Sequence, residues 1–259
     1  MNEATLPDTQ SIDEALGRSV LYSALAVALS PPKKGSLEHV FGPATSAILL
    51  DAARVLDRLA QTAELVRLAQ ESRVEELERA YQRLFGHTAR GKVSPYETEY
   101  GRERPFGQSQ ELADINGFYN AFGLSLPKLR HERSDHVAVE CEFLSFLICK
   151  GAQTLADGDL PSSDAVDRAE RLFLREHLGQ FGRALGRSLA QEADHRFYQA
   201  AGEVLFDFLT AECRHHGIPA GPEFLQLRST SEMDVPMACS SECSLLRHGP
   251  VGRDGVEGR

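Results

Sequence analysis

The sequence has no tryptophan and only three methionines among its 259 residues. No uninterrupted apolar run approaches the roughly 18–20 residues that cross a bilayer, so we expect no stable membrane insertion. The first ten residues have neither the basic region nor the apolar region of a secretory signal. The five cysteines, an odd number, fit a reducing compartment. Together these features predict a cytoplasmic protein.

The sequence also lacks the short motifs of several enzyme classes. It has no Gly-x-Ser-x-Gly elbow for a nucleophilic serine, no Walker A phosphate loop and no Gly-x-Gly-x-x-Gly after a strand. The formal net charge of -10 argues against a nucleic-acid partner, because such a protein needs a basic face to neutralise phosphate. An acidic surface is compatible with a cationic partner such as a basic peptide.

Helical periodicity is what the sequence does contain. No segment alternates apolar and polar residues with the period of a strand, whereas seven segments repeat apolar residues at helical spacing. We therefore predict an all-α fold, a single helical bundle of about seven helices. The predicted helices lie at about 11–30, 48–66, 74–85, 109–122, 137–148, 162–185 and 197–216, and Gly86, Gly123 and Gly217 are the expected stops of the third, fourth and last. We expect residues 1–227 to form this domain and residues 228–259, rich in Ser, Gly, Pro and charge, to form a flexible tail.

A long loop interrupts the helical pattern at residues 87–109. It contains an aromatic and acidic cluster of Tyr96, Glu97, Glu99 and Tyr100. Loops of this length without regular structure are often functional, although these tyrosines could equally fold back on the core.

Ionisable residues stand directly before the most apolar helix, at 131–136. A helix start carries unpaired N–H groups and partial positive charge, so it favours acidic caps and ligands. We expect Ser134 or Asp135 to cap this helix, with His136 at its first turn. The polar groups there are therefore either a cap or a site.

Metal ligation is the alternative chemistry that the sequence leaves open. Glu212 and His215 have the Glu-x-x-His spacing of helical di-metal bundles, and His136 with Glu140 could add ligands from another helix. That ligand set is incomplete, because such sites need the motif from two helices and two further glutamates. The second candidate function is therefore a metal-dependent helical-bundle enzyme or sensor.

The predicted tail carries a Cys-x3-Cys pair, Cys239 and Cys243. Zinc and iron–sulfur sites usually need four ligands, so His248 or a partner chain would have to complete a site. The pair alone is a weak metal candidate, and we expect neither a bound metal nor a resident cofactor.

Several segments resemble, in order and spacing, the TorD/DmsD/NarJ family. The similarity covers roughly residues 10–217, and no single motif carries it alone. The matching segments are Tyr81–Gly86, Ser94–Tyr100, Ile115–Gly123, Ser134–Leu144, Phe173–Phe181 and Phe197–Tyr198.

The resemblance implies an all-helical cytoplasmic chaperone dedicated to a molybdoenzyme, and not an enzyme. Members of the family bind the N-terminal region, often a twin-arginine signal peptide, of an apo catalytic subunit. They hold the subunit until its molybdopterin cofactor is inserted, and so delay export. The same resemblance implies a monomer or a helix-swapped dimer, for which the glycine-bearing segment 151–161 could be the hinge.

The family's Asp-His pair corresponds to Asp135 and His136, and it is tied to peptide binding. Arginine pairs bidentately with carboxylates, and tyrosine rings can stack on guanidinium, so the loop cluster suits a twin-arginine leader. The predicted client-binding residues are Asp135, His136, Tyr96, Glu97, Glu99, Tyr100 and Glu140.

Two departures from the family pattern concern which client is bound. Ser134 stands where the family often has proline, and the loop lacks the tryptophan of the trimethylamine-oxide and dimethyl-sulfoxide reductase branches. The loop is more similar to that of chaperones for ethylbenzene dehydrogenase, selenate reductase and chlorate reductase.

Overall fold

The computed structural model describes residues 9–86, 91–101, 107–125 and 132–228. Those residues form helices joined by turns, with isolated bridges but no β-strand among them, so the all-α prediction is confirmed. The helices are α1 Thr9–Leu29, α2 Lys34–Phe41, α3 Ser46–Val55, α4 Leu59–Glu71, α5 Val74–Phe85, α6 Gly107–Ala121, α7 Val137–Ala156, α8 Leu160–Glu176, α9 Leu178–Glu192 and α10 Arg196–His215, with a 3-10 turn at Glu97–Glu99.

Two helix pairs organise the core. α1 makes its most extensive contacts with α7, and α9 with α10. The central helix α7 is mostly buried, with Leu144 and Leu147 fully so, as the sequence predicts, and it leaves one exposed stripe that includes Glu142 and Lys150. Tyr22 of α1 packs edge-on against Phe208 of α10 at 4.7 Å between ring centroids. Helix α1 thus lies between α7 and α10 and packs against both.

The α9–α10 contact depends on glycine. A Cβ atom on Gly186 would lie 2.7 Å from the carbonyl oxygen of Gly202, and one on Gly202 would lie 2.5 Å from that of Gly186. The two backbones therefore touch at a point where no side chain fits.

The single helix predicted at 48–66 is two helices in the structure, α3 and α4. Asp57 adopts a left-handed conformation with φ 54°, which redirects the chain between the two helices. Ile48 and Val55, placed by their spacing on a buried stripe, are 64% and 51% exposed. The periodicity predicted the helical content and the burial of Ala52 and Val66 correctly, and the burial of Ile48 and Val55 incorrectly.

The predicted helix at 162–185 is also divided, at His177. This residue has φ -123° and ψ -101°, so α8 ends before it and α9 begins after it. The start of α8 is Leu160, two residues earlier than predicted, because the Asp159 side chain accepts a hydrogen bond from Ser162 N at 3.2 Å and caps the helix. Helix α2 was not predicted. These differences account for the larger number of helices.

Other predicted boundaries are confirmed. Gly86, Gly123 and Gly217 have positive φ angles of 75°, 70° and 60°, and they follow α5, α6 and α10 as glycine does at helix ends. The proposed hinge segment 151–161 is only partly a connection, because α7 continues to Ala156. The predicted tail, with Cys239 and Cys243, lies outside the described residues. No helix in the described part of the chain combines the length and apolarity needed to span a bilayer.

Candidate functional site

The two polar segments singled out in the sequence lie side by side. Glu97 N donates to the Asp135 carbonyl at 2.9 Å, and Val137 N donates to the Pro95 carbonyl at 2.8 Å. Tyr96 and His136 form an antiparallel bridge between them. The loop cluster is therefore fixed to the start of α7 by its backbone.

Asp135 is fully buried and belongs to a closed hydrogen-bond cluster. Its Oδ2 accepts from Thr98 N at 3.2 Å and from Thr98 Oγ1 at 2.8 Å. Arg133 donates to both carboxylate oxygens, from Nε at 2.9 Å and from Nη2 at 2.7 Å. The same guanidinium donates through Nη1 to Glu99 at 2.9 Å and lies 4.5 Å above the Tyr96 ring centroid.

Arg133 is the member of this cluster that sequence reasoning did not assign to the candidate site. The sequence predicted that Asp135 and Glu99 would receive guanidinium groups from a client, yet both already receive one from Arg133. Its position two residues before Asp135 was the available signal. The contact with Glu99, 34 residues away in the chain, could come only from the fold.

His136 caps α7, so the prediction that Ser134 or Asp135 would cap it is wrong. Its Nδ1 accepts a hydrogen bond from Ala138 N at 3.1 Å, which places the ring proton of the neutral side chain on Nε2. That Nε2 lies 3.3 Å from the Tyr81 hydroxyl. Asp135 does not cap the helix because its carboxylate is directed to Thr98 and Arg133 instead.

A second group of ionisable residues lies deeper, at Glu140, Glu97 and His177. Glu140 is fully buried, and neither of its carboxyl oxygens has a donor among the described residues. Burial, and then the charge of Glu97, raise the pKa of Glu140 well above its ordinary value. The carboxyl group of Glu140 therefore keeps its proton to a higher pH than an ordinary glutamate does, and in that form it can donate to Glu97, whose other oxygen lies 3.3 Å from His177 Nδ1.

The two tyrosines of the cluster differ. Tyr100 is 6% exposed, donates to the Ser94 carbonyl at 2.7 Å and packs near Phe181, so it folds back on the core. Tyr96 is only half-buried and donates to Glu132 at 3.1 Å. Burial, followed by the charge of Glu132, raises the pKa of Tyr96 to about 12, so the hydroxyl keeps its proton.

The accessible rim of the site is therefore smaller than the predicted set. It consists of Tyr81, Tyr96, Glu132 and Arg133, while Asp135 and His136 lie beneath it. Among the described residues of the site, the carboxylates outnumber the arginine, so the site is acidic. These carboxylates are Glu97, Glu99, Glu132 and Asp135.

The alternative metal ligands do not come together as predicted. Glu212 meets His216 and Glu170, not the exposed His215, and ligand atoms of these three residues lie within 4.8 Å of one another. Arg18 occupies the middle of this cluster and donates to Glu212 at 2.8 and 2.7 Å. The cluster is thus a buried ion-pair network that joins α1, α8 and α10.

His136 and Glu140, the other two predicted ligands, lie outside this network. His136 contacts Ala138 and Tyr81, and Glu140 lies against Glu97. Although burial acts in the opposite direction, His216 and Arg18 lower the pKa of Glu170, as expected for a charge-balanced network. The structure gives the metal-dependent alternative no assembled ligand set from the four residues predicted for it.

The comparison with known proteins identifies the family. The family described as "Nitrate reductase delta subunit" matches residues 51–185, which is just over half of the chain and includes every predicted client-binding residue. The chain belongs to this family, and the resemblance to the TorD/DmsD/NarJ family is confirmed.

Two curated relatives are similar to parts of the chain, one to about half of it and the other to about two thirds. Chaperone protein TorD of Photobacterium profundum is 28% identical over 125 residues, which are 48% of this chain and 56% of that protein. The perchlorate reductase assembly chaperone protein of Dechloromonas aromatica is 29% identical over 176 residues, 65% of this chain and 76% of that protein. Both names are those of chaperones, not of catalysts.

A solved structure from Archaeoglobus fulgidus, described as a candidate redox enzyme maturation protein, is also similar. It has 18% sequence identity and a TM-score of 0.45, with 74% of this chain and 93% of that chain covered.

Proposed function

We propose that this protein is a cytoplasmic chaperone for one molybdoenzyme. It binds the N-terminal or signal region of the apo catalytic subunit and assists insertion of the molybdopterin cofactor before export. It contributes binding and not turnover. Its partner is that catalytic subunit, and no nucleic acid is involved.

Family membership is the observation that carries this proposal. The matched segment, residues 51–185, includes the loop cluster and the start of α7. Two relatives named as chaperones, one of them for perchlorate reductase assembly, support a role in the assembly of an oxidoreductase. The chain matches only 56% of the length of the first of these relatives. The proposed activity of this protein therefore rests on the geometry of its site as well as on the relatives.

The site's charge and shape support a cationic peptide as the ligand. Tyr96, Glu132 and Arg133 are accessible at the rim, above a group of carboxylates that exceeds the positive charge of the described residues around it. Arginine binds well to such a surface, because its guanidinium pairs with carboxylates and stacks on aromatic rings. A leader peptide with two arginines and an apolar segment has both features.

Co-purification tests the proposal. The full-length chain is tagged, recovered from its native cytoplasm and analysed by mass spectrometry for bound proteins. We expect the apo catalytic subunit of a molybdopterin oxidoreductase. Recovery of no such subunit, in cells that make molybdoenzymes, would contradict the proposal.

Two rim variants make that experiment specific to the site. Tyr96→Ala removes the ring beneath Arg133, and Glu132→Gln removes one carboxylate from the rim. We expect both to reduce client recovery several-fold with little change in Tm, since neither side chain is fully buried. Glu203→Gln, which removes an exposed carboxylate on α10, is the matched control and should recover the client normally.

A further inference from the structure

Asp135, Glu99 and Tyr96 together have the geometry of a guanidinium-binding site, which we call the arginine receptor. The Arg133 side chain occupies it. Asp135 receives two parallel hydrogen bonds, Glu99 receives a third and the Tyr96 ring lies beneath the plane at 4.5 Å. Bidentate pairing and aromatic stacking are properties of arginine that lysine does not reproduce. The cluster therefore selects arginine by shape as well as by charge.

Arg133 is held differently from Arg18, a paired arginine of the interior. The Arg133 side chain is 34% exposed, whereas that of Arg18 is 8% exposed within its own ion-pair network. Arg133 precedes α7 and lies outside any helix, so its side chain can rotate into solvent without moving a helix. Arg133 can therefore leave the receptor by losing its side-chain contacts alone, with no change in the helices.

Asp135 cannot accept a second arginine while Arg133 is in place. It has no exposed surface, and its Oδ2 already accepts from Thr98 N, Thr98 Oγ1 and Arg133 Nη2. A client arginine that reaches Asp135 must therefore replace Arg133.

We propose that Arg133 is an autoinhibitory occupant of the arginine receptor, and that an arginine of the client peptide binds by exchanging with it. This inference rests on the proposed function and adds how the same site is regulated. The exchange conserves the charge of the receptor and the number of its hydrogen bonds, because one guanidinium group leaves as another enters. A peptide without arginine does not use the vacated receptor, so the occupant lowers the affinity for arginine-bearing peptides in particular.

The expected effect follows from the population of the vacated state. The apparent affinity of a ligand is reduced by the fraction of protein that is competent to bind it. Minor conformations of proteins are typically about 0.1–10% populated, so removing the occupant should raise affinity by about tenfold or more.

The test measures peptide affinity in full-length variants. The probe is a labelled synthetic peptide with two adjacent arginines followed by an apolar segment, together with a version carrying two lysines. We expect Arg133→Ala to bind the arginine peptide at least about tenfold more tightly than the wild type does, with no such gain for the lysine peptide. Arg187→Ala is the matched control, because Arg187 also pairs with a glutamate, stacks on a phenylalanine ring at 4.3 Å and is 37% exposed.

Two further measurements keep the test decisive if Arg133→Ala folds poorly. Arg133→Lys keeps the charge but loses the bidentate pairing, and it should also bind the arginine peptide more tightly than the wild type. Ethylguanidinium should raise the Tm of Arg133→Ala and leave that of the wild type unchanged, because only the variant has a vacant receptor.

The outcomes separate this inference from the proposed function. Equal or weaker binding of the arginine peptide by folded Arg133→Ala and Arg133→Lys would overturn the exchange, even if the wild type recovers its client from cells. Tighter binding by both variants, with no client recovered by the wild type, would support the exchange at Arg133 and contradict the proposed client.

Discussion

Glu140 of α7 lies against Glu97 of the Glu97–Glu99 turn in the interior of the protein. After burial itself, the charge of Glu97 is the largest cause of the raised pKa of Glu140. A protonated Glu140 supplies the donor that the two carboxyl groups otherwise lack, since Glu97 Oε2 and both Glu140 oxygens have none among the described residues. One proton thus links the loop cluster to α7, the helix that begins directly after Asp135 and His136.

The first prediction concerns the pH dependence of stability. The folded-state pKa of Glu140 is raised, so its contribution to stability is complete below its unfolded value of about 4.5 and is lost as the pH rises through the folded value. Glu140→Gln keeps the neutral shape and the donor without the ionisation. We therefore expect a higher Tm for Glu140→Gln than for the wild type at pH 8, and a smaller difference at pH 5. Glu142→Gln, an exposed change on the same helix, should show no such trend.

The second prediction concerns the buried network around Arg18. Removing one partner from a buried ion pair typically costs about 3–5 kcal/mol, because the remaining charges stay buried and unpaired. Arg18→Met should lower the free energy of unfolding by about that amount, measured by urea denaturation. Arg67→Met, which removes an exposed arginine paired with Glu64 and Glu71, should have little effect. Equal losses in the two variants would contradict the network's structural role.

The third prediction separates capping from client binding at His136. His136 caps α7, and His195 caps α10 in the same way, by accepting from Phe197 N at 3.2 Å. Loss of such a cap typically costs about 0.5–2 kcal/mol, and asparagine is a good replacement. We expect alanine to lower the Tm at either position and asparagine to restore most of the loss.

Client recovery distinguishes the two histidines. His136→Ala should also weaken recovery of the client, because the Tyr81 hydroxyl at the rim loses its contact with His136 Nε2. His195→Ala should leave recovery unchanged. If His136→Ala recovers the client as fully as the wild type, the histidine is a helix cap and no more.

The fourth prediction is the salt dependence of peptide binding. The chain has a formal charge of -10 and an acidic site, so a cationic peptide is attracted over a distance that salt shortens. Raising the salt concentration from about 0.05 to 0.5 M should slow association roughly tenfold, while dissociation changes less. Stopped-flow fluorescence with the arginine peptide measures both rates. Salt-independent association would indicate that apolar contacts dominate the encounter.

The helices could be predicted from the sequence, but their interruptions could not. Neither Asp57 nor His177 is itself a glycine or proline, and the apolar spacing continues across both positions. The second break also requires Gly179, where a Cβ atom would lie 2.2 Å from the Leu174 carbonyl oxygen. The break after α3 is a left-handed helix end, closed by a hydrogen bond from Arg58 N to the Ala53 carbonyl at 2.7 Å, and an aspartate at that position does not announce it as glycine would. At 31–35, the Pro-Pro-Lys-Lys-Gly sequence indicated only a break, and it concealed the start of α2.

The site was predicted in part for similar reasons. The acidic and aromatic residues were recognisable as a cluster, and Tyr96, Glu99 and Asp135 all contact Arg133 in the structure. The sequence could not show that Arg133 already pairs with the acids, because that pairing depends on a tertiary contact. The choice of His215 over His216 failed because the side chain that faces Glu170 is the one four residues after Glu212.

The molybdenum content of the client tests the central claim most directly. The catalytic subunit recovered by the tagged protein is purified from cells that lack this chain and from the same cells complemented with it, and molybdenum per subunit is measured. The account predicts a largely cofactor-free subunit without the chain, and restoration by the wild type but not by Tyr96→Ala. Full molybdenum occupancy in the absence of the chain would contradict the role in cofactor insertion.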